Sequence, residues 1–241
     1  MPLTAKTPHR KTPSKPDDAL LDDAPALSVP LSAATLDGFI DWACSERFPK
    51  QWSASFIDNE IFLDISPEEL ETHARLNAEI SRQIHTLVKT FDLGAFYPDR
   101  TLIANRAAGL STEPDGTFVR WESFESKRVR RVASRKRDDR FMTLLGTPDW
   151  VMEIVSETSV AKDTKKLREA YHRAGVPEYW LIDARRAVVS FQILAYRRSG
   201  YVAVRPRRGW HRSKVFEREF RLRRERDRSG GWDYTLEIRK P

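Results

Sequence analysis

Cysteine is almost absent from this sequence of 241 residues, in which Cys44 is the single copy. An internal disulfide, a cysteine-rich zinc site and a two-cysteine redox motif are therefore excluded. No apolar run approaches the ~18 residues that a membrane helix requires. The N-terminal charges are not followed by an apolar segment, so the sequence predicts no secretory signal. Together these absences favour a protein of the reducing cytoplasm that does not enter a membrane.

Aromatic residues are missing from residues 1–30, which are rich in Pro, Lys, Asp, Ser and Thr. A segment of this composition cannot bury enough apolar surface to offset the entropy lost on ordering. We therefore predict a disordered tail at residues 1–30 and a single domain at residues 31–241. A domain of this length can build a core without disulfides or a structural metal.

Two apolar runs and the segment between them predict the fold class. Residues 150–155 (Trp-Val-Met-Glu-Ile-Val) are typical of a buried strand, and residues 179–183 are typical of a second one. Residues 159–174 have helical spacing, and Gly175 and Pro177 end that helix. A strand, a helix and a strand in this order require parallel pairing. The sequence thus predicts an α/β fold with a mixed central sheet flanked by helices.

Two further elements are expected before this unit. Residues 55–65 contain two short apolar runs around Asp-Asn-Glu, which indicates a hairpin. Ser66 and Pro67 are typical of a helix start. The apolar stripe of that long helix comprises Leu76, Ile80, Ile84, Leu87, Val88 and Phe91. His73 lies on the stripe, and we interpret it as a packed or capping residue.

Positive charge is clustered in two segments. Lys and Arg exceed Asp and Glu by seven, and the excess lies at residues 120–140 and 205–228. Clustered arginines suit a phosphate-binding surface, because each can make bidentate contacts. Trp210, His211 and Phe216 lie within the second cluster and could stack on bases. Solvated surface strands explain the same pattern equally well.

Two carboxylates stand where they could carry chemistry. Glu153 interrupts the first apolar strand, and a buried carboxylate needs a partner, a proton or a metal ion. Asp115 lies in a Pro-Asp-Gly turn just before the apolar residues Phe118 and Val119. A buried arginine partner for Glu153 and an ordinary turn role for Asp115 are the structural alternatives. Two carboxylates on adjacent strands could instead hold one Mg²⁺ ion.

A specific pattern runs from Pro148 to Asp183. Its segments are Pro148–Ser156, Lys162-Asp163, Tyr171 and Ala174–Asp183. The pattern resembles the Uma-type family of putative restriction endonucleases, within the PD-(D/E)XK nuclease superfamily. The resemblance extends from about residue 42 to about residue 198, and residues 205–241 form a basic C-terminal extension. Residues 111–116 and the Asp-Ala-Arg ending at 183–185 are similar to a planctomycete-type branch.

The resemblance implies a restriction-endonuclease-like fold and a set of site residues. Asp115 and Glu153 correspond to the acidic pair of the superfamily, and the implied cofactor is Mg²⁺, with Mn²⁺ as an alternative. Glu79 lies in the long helix where many members place another acidic residue, which makes it a third candidate metal ligand. The superfamily lysine would stand two residues after Glu153, where this sequence has Val155. In many relatives the lysine lies in the following helix, at the position of Leu167 here.

Neighbouring lysines are therefore the candidates for the missing role. We prefer Lys162, which could turn back toward Glu153 from the start of the helix, and place Lys166 second. Lys165 points outward on the helical wheel. With one of these lysines, Asp115 and Glu153 would hydrolyse phosphodiester bonds as a metal-dependent endonuclease.

Two functions remain open from the sequence. The preferred one is cleavage of nucleic acid, with DNA as the expected partner, no membrane contact and a homodimer as an option. The alternative is a catalytically impaired nuclease-fold module that binds nucleic acid or a partner protein. The distance between a lysine and the two carboxylates separates them.

Overall fold

The structure is a computed structural model that describes residues 28–134 and 137–241. The disordered tail was predicted at residues 1–30, and residues 1–27 lie outside the described part. Regular structure begins at Leu31. No helix in the described ranges is long and apolar enough to cross a membrane.

Helices are few and short except for one. The helical elements are a 3₁₀ turn at Leu31–Ala34, α1 (Leu36–Ala43), a π-helical turn at Leu70–Ala74 that continues into α2 (Arg75–Thr90), α3 (Trp121–Glu125), and a π-helical segment at Lys162–Leu167 that continues into α4 (Arg168–Arg173). The predicted apolar stripe of α2 is buried from Leu76 to Val88, whereas Phe91 is exposed.

Most of the described chain is organised in strands. They are β1 (Ser53–Ile57), β2 (Glu60–Asp64), β3 (Gly94–Pro98), β4 (Leu102–Asn105), β5 (Leu110–Thr112), β6 (Gly116–Arg120), β7 (Val129–Ser134), β8 (Arg137–Gly146), β9 (Trp150–Ile154), β10 (Glu178–Asp183), β11 (Ser190–Ala195), β12 (Val202–Ala203), β13 (His211–Ser213), β14 (Arg218–Arg226) and β15 (Trp232–Arg239).

These strands form three sheets. The first has the order β2-β1-β5-β4-β8-β7, the second β12-β11-β10-β9-β6-β3, and the third β13-β14-β15. In the second sheet β9 and β10 pair in parallel, while β6 pairs antiparallel with β9. The predicted strand–helix–strand unit and the mixed sheet are therefore confirmed. The sequence did not indicate that the strands divide among three sheets.

The second sheet lies at the centre and buries both of its faces. On one face Val151 and Val155 pack with Leu144 of the first sheet and with Tyr171 of α4. On the other face, Met152 and Ile154 pack with residues of α2 and of the third sheet. The alternation of β9 explains this arrangement, because successive side chains of a strand point to opposite faces.

Three details of the sequence reading are settled by the structure. The hairpin of β1 and β2 is confirmed, and Asp58 and Asn59 form its turn with left-handed backbones. The predicted helix start at Ser66 is wrong. Helical structure begins at Leu70, where the Glu69 carboxylate accepts hydrogen bonds from the backbone at the first turn. Residues 66–69 are thereby free to line a cleft.

The proposed base-stacking residues are largely unavailable. Phe216 is fully packed among Phe118, Trp150 and Trp180, so its role in stacking on bases is wrong. Trp210 is covered by two guanidinium groups, of Arg221 and Arg239. The reason is that the third sheet uses its aromatic residues to pack against the central sheet and against its own arginines.

Candidate active site

Asp115 and Glu153 lie on two neighbouring inner strands of the central sheet, where β6 begins and β9 ends. Asp115 directly precedes β6, and the antiparallel register pairs Gly116 with Met152. The backbone N–H of Ile154 donates to Asp115 Oδ2 over 2.6 Å. Both carboxylates are nearly buried, with 8% and 4% of each residue exposed. Two strands thus bring two acidic side chains to one point, as the sequence predicted.

The Glu153 carboxylate accepts a hydrogen bond from a buried tyrosine. The hydroxyl of Tyr171, which lies on α4, donates to Glu153 Oε1. Burial, together with the charges of Asp163 and Asp115, raises the pKa of Glu153 well above its usual range. Among the residues that the structure describes, no arginine bonds to this carboxylate, in contrast to the alternative considered from the sequence. Tyr171, which belongs to the sequence pattern between Pro148 and Asp183, contacts the site directly.

Lys162 is the lysine that reaches the site. It lies in the first turn of the helix after β9, and its side chain is 20% exposed. Its Nζ is 3.6 Å from Asp163 Oδ1. Burial alone would lower the pKa of Lys162, but the charges of Asp163 and Glu153 outweigh it and raise that pKa. Lys162 is therefore a cation set among carboxylates.

His73 joins the site from the helical turn before α2. Its Nε2 lies 3.3 Å from Asp115 Oδ1, and its Nδ1 lies 2.7 Å from Glu68 Oε1. Burial opposes the charged form, but hydrogen bonds and charge interactions with Asp115 and Glu68 raise the pKa of His73 to about 10. His73 is thus an imidazolium that bridges two carboxylates, and not the packed core residue that its position on the stripe suggested.

These groups line a cleft of about 530 Å³. The carboxylates in its wall are Asp64, Glu68, Glu69, Asp99, Glu113, Asp115, Glu153, Glu157 and Asp163. The cations in its wall are His73, Arg100, Lys162 and Arg185. Because carboxylates outnumber cations about two to one, the cleft is strongly negative.

Several of these acids resist ionisation. Burial, together with the charge of Asp115, raises the pKa of Asp99 to about 6. Burial raises the pKa of Glu113 to about 7, although the nearby Arg100 opposes the shift. Oε2 of Glu113 and Oδ1 of Asp163 are buried and lack a hydrogen-bond partner among the described residues. Ionising all of these acids together would therefore place more negative charge in the cleft than its own cations and donors neutralise.

Two candidates from the sequence lie outside the cleft. Lys166 points to the hairpin of the first sheet, where its Nζ lies 2.8 Å from Glu60 Oε2. Glu79 bonds to Arg82 and accepts from the backbone N–H of Leu236 on β15. Lys166 and Glu79 thus contact neighbouring elements of the fold, and neither side chain reaches Asp115 and Glu153.

Comparison with known families decides the relationship of the chain. The model of the Uma2 family, described as "Putative restriction endonuclease", matches residues 36–225. The chain belongs to the Uma2 family. Among curated proteins, no sequence matches this chain at a significant level.

A solved structure shares the Uma2-family fold seen here. It is a putative nuclease belonging to DUF820 from Anabaena variabilis, with 19% sequence identity and a TM-score of 0.51. The match covers 76% of this chain and 90% of that chain. At this identity the likeness shows the fold, which confirms the predicted restriction-endonuclease-like architecture. The planctomycete-type branch stays a prediction.

Of the two cleft members that sequence reasoning missed in this Uma2-family chain, Asp163 and His73, only Asp163 could have been found from the sequence. Asp163 follows Lys162 directly, and its residue is 1% exposed. A Lys-Asp pair shortly after a buried strand is a usable signal, although from the sequence we assigned no role in the site to the Asp. His73 carries no such signal, because its role depends on where the helix begins.

Proposed function

We propose that the protein is a Mg²⁺-dependent endonuclease that hydrolyses phosphodiester bonds of DNA. The observation that carries the proposal is the juxtaposition of Asp115, Glu153 and Lys162 in one strongly negative cleft. Membership of the Uma2 family and the nuclease-like fold support it. Homodimer formation and a cytoplasmic location stay predictions.

The side chains of the cleft fit a hard divalent cation. Within residues 28–134 and 137–241, no three His, Cys, Asp or Glu side chains form a complete metal-binding group. Mg²⁺ does not require one, since it usually binds through one or two carboxylates and keeps several waters. Asp115 and Glu153 would supply those carboxylates. Oε2 of Glu113, which is buried and has no hydrogen-bond donor among the described residues, supports the need for a cation in this cleft.

Each residue would then have a defined part in hydrolysis. Bound Mg²⁺ would make a nearby water more acidic and offset the charge of the phosphate. Lys162 would orient the attacking water and stabilise the negative charge that develops on the phosphate oxygens. Such preorganised charge is most effective in a partly buried site, where water screens it less.

Substrate binding must overcome the negative charge of the cleft. Arg100 lines the cleft, and its guanidinium donates to the backbone carbonyl of Trp52 over 3.0 Å. Its charge acts on Glu113, but no carboxylate of the described residues forms an ion pair with it. Outside the cleft, Arg205, Arg207 and Arg208 are exposed and make no ion pair with any residue that the structure describes. These arginines are candidates for phosphate contacts.

Much of the second arginine cluster is already engaged. Arg221 and Arg223 both pair with Glu237, across β14 and β15. Arg224 donates to the backbone carbonyl of Ala184 over 2.7 Å. We therefore assign nucleic-acid contact to the unpaired arginines of residues 205–208 rather than to the whole cluster.

A cleavage assay with matched variants tests the proposal. Purified protein would be incubated with plasmid and linear duplex DNA in Mg²⁺, in Mn²⁺ and in EDTA. Glu153→Gln should lower the cleavage rate by at least about 10²-fold, because it removes a metal ligand at constant size. Glu79→Gln is the control and should cleave like the parent, because Glu79 lies outside the cleft.

The outcomes separate the two functions. Metal-dependent cleavage that Glu153→Gln abolishes supports the endonuclease. DNA binding without cleavage in either metal would instead support the impaired binding module, for which the absence of a lysine two residues after Glu153 is the relevant sequence feature. Cleavage that survives in Glu153→Gln would refute the assigned site.

A further inference from the structure

The environment of Glu153 is asymmetric. Its Oε1 accepts a hydrogen bond from the Tyr171 hydroxyl over 2.5 Å. No donor among the described residues engages Oε2, and Glu153 lines the cleft. Tyr171 is 0% exposed and lies on the side of β9 away from α2 and the third sheet. One oxygen of the carboxylate is thus hydrogen-bonded to a core residue, and the other has no donor within the described part of the chain and is available to a ligand in the cleft.

The tyrosine itself has little freedom to move. Its ring packs edge-on against Tyr179, with ring centroids 5.2 Å apart. The same buried cluster contains Val151 of β9, Val155 directly after that strand, and Leu167 of the helix. The hydroxyl therefore reaches Glu153 from a rigid wall, since packed side chains in a protein interior occupy well-defined rotamers.

We propose that Tyr171 is a positioning residue that orients the Glu153 carboxylate for cation binding. By donating a hydrogen bond to Oε1, Tyr171 selects the rotamer of Glu153 that presents Oε2 to the cleft. This inference rests on the proposed function, in which Glu153 is a metal ligand. Partners that orient a metal ligand commonly change metal affinity by about 10–100-fold when they are removed.

A purely structural role is the alternative. In that case the hydroxyl only satisfies a buried polar group, and its loss lowers stability by about 1–3 kcal/mol without touching metal affinity. Tyr201 supplies the matched control. It is 6% exposed, and its hydroxyl donates to the backbone carbonyl of Val176 over 2.7 Å, away from the cleft-lining residues.

The experiment is calorimetric titration of Mn²⁺ into the parent, Tyr171→Phe and Tyr201→Phe. Each variant loses one buried hydroxyl and keeps its ring. We expect about 10–100-fold weaker Mn²⁺ binding in Tyr171→Phe and parent-like binding in Tyr201→Phe. Circular dichroism checks folding, and a poorly folded variant is measured in the osmolyte trimethylamine N-oxide, which favours the folded state.

Each failure has its own signature. If the parent binds no Mn²⁺, the metal in the proposed function is refuted and the inference falls with it. If the parent binds and both variants bind equally well, the inference alone is overturned. Equal weakening in the two variants also overturns it, because the effect then follows from losing any buried hydroxyl.

Discussion

Raising the pH from 5 to 8 without divalent cations should destabilise this protein. Asp99 and Glu113 have pKa values raised by burial, to about 6 and about 7. Below pH 4 each group is protonated in both the folded and the unfolded state. As the pH rises, the unfolded chain releases these protons first, while the folded cleft must ionise in a crowded, buried place. The stability that these bound protons contribute is therefore lost as the pH rises through the pKa values of the folded state.

One group opposes this sign: burial lowers the pKa of His211, so its contribution to stability grows as the pH rises toward its unfolded pKa of 6.5. The other shifted groups do not oppose the sign between pH 5 and pH 8. Asp64 and Asp183 have lowered pKa values, with burial opposing the shift at Asp64 and hydrogen bonds with Arg185 lowering that of Asp183. Their contribution is present above the unfolded pKa near 4 and stays constant in this range. His73, whose pKa is raised to about 10, contributes fully below 6.5 and loses its contribution as the pH rises from there. Raising the pH therefore lowers the stability contribution of His73, as it does for Asp99 and Glu113.

The magnitude follows from the shifts. The pKa of Glu113 rises from 4.5 to about 7, which corresponds to at most about 3 kcal/mol when the group ionises. The acids of the cleft interact, so their contributions do not add, and we expect a total loss of about 3–5 kcal/mol. For a protein of this size, each kcal/mol lowers the melting temperature by about 2–4 °C. A fall of about 10 °C between pH 5 and pH 8 is expected.

Thermal unfolding followed by circular dichroism in EDTA measures this fall. Adding Mg²⁺ at about 100 times its dissociation constant should restore about 2.7 kcal/mol at pH 8. Glu113→Gln should flatten the pH dependence, whereas Glu79→Gln should leave it unchanged. A melting temperature that stays constant or rises from pH 5 to pH 8 in EDTA would refute the argument that the cleft is overcharged.

Two further predictions concern catalysis and substrate binding. Lys162→Ala should lower DNA cleavage by about 10²–10³-fold. Lys166→Ala breaks only a surface ion pair with the first sheet and should cleave like the parent. Equal activity in both variants would exclude Lys162 as the catalytic lysine. The double variant Arg207→Ala, Arg208→Ala should reduce the salt slope of duplex binding by about 2, one for each lost phosphate contact, as measured by fluorescence anisotropy at several salt concentrations. Arg221→Ala is the control, since its charge is already paired with a carboxylate, and an equal change in its slope would contradict the assignment.

Local patterns were sufficient for the elements of the central sheet. The apolar runs at residues 150–155 and 179–183 and the helix between them predicted a parallel pair, which β9 and β10 form. These runs are buried on both faces, so their hydrophobicity is continuous and easily recognised. The same pattern made Glu153 conspicuous, because a carboxylate in such a strand requires a specific partner.

Long-range placement was beyond the reach of those patterns. Glu79 and Lys166 have helical positions compatible with a site, yet each is bonded to another element of the fold. His73 reaches Asp115 because the helix begins at Leu70 instead of Ser66. A shift of a few residues at a helix start changes the direction of every nearby side chain, and helix boundaries are weakly encoded.

The charge of the arginine-rich segments shows the same division. Their composition is visible in the sequence, but only the pairing of β14 with β15 reveals that Arg221 and Arg223 form ion pairs with Glu237 across the strands. Hydrophobic period thus predicts the strands and the helix of the central unit, and the resemblance of the motifs to a known family implies the acidic pair. Tertiary structure decides which tyrosine, histidine and lysine meet that pair, because those contacts join residues that are up to about 40 positions apart along the chain. Such contacts depend on how sheets and helices pack, and no local pattern records that packing.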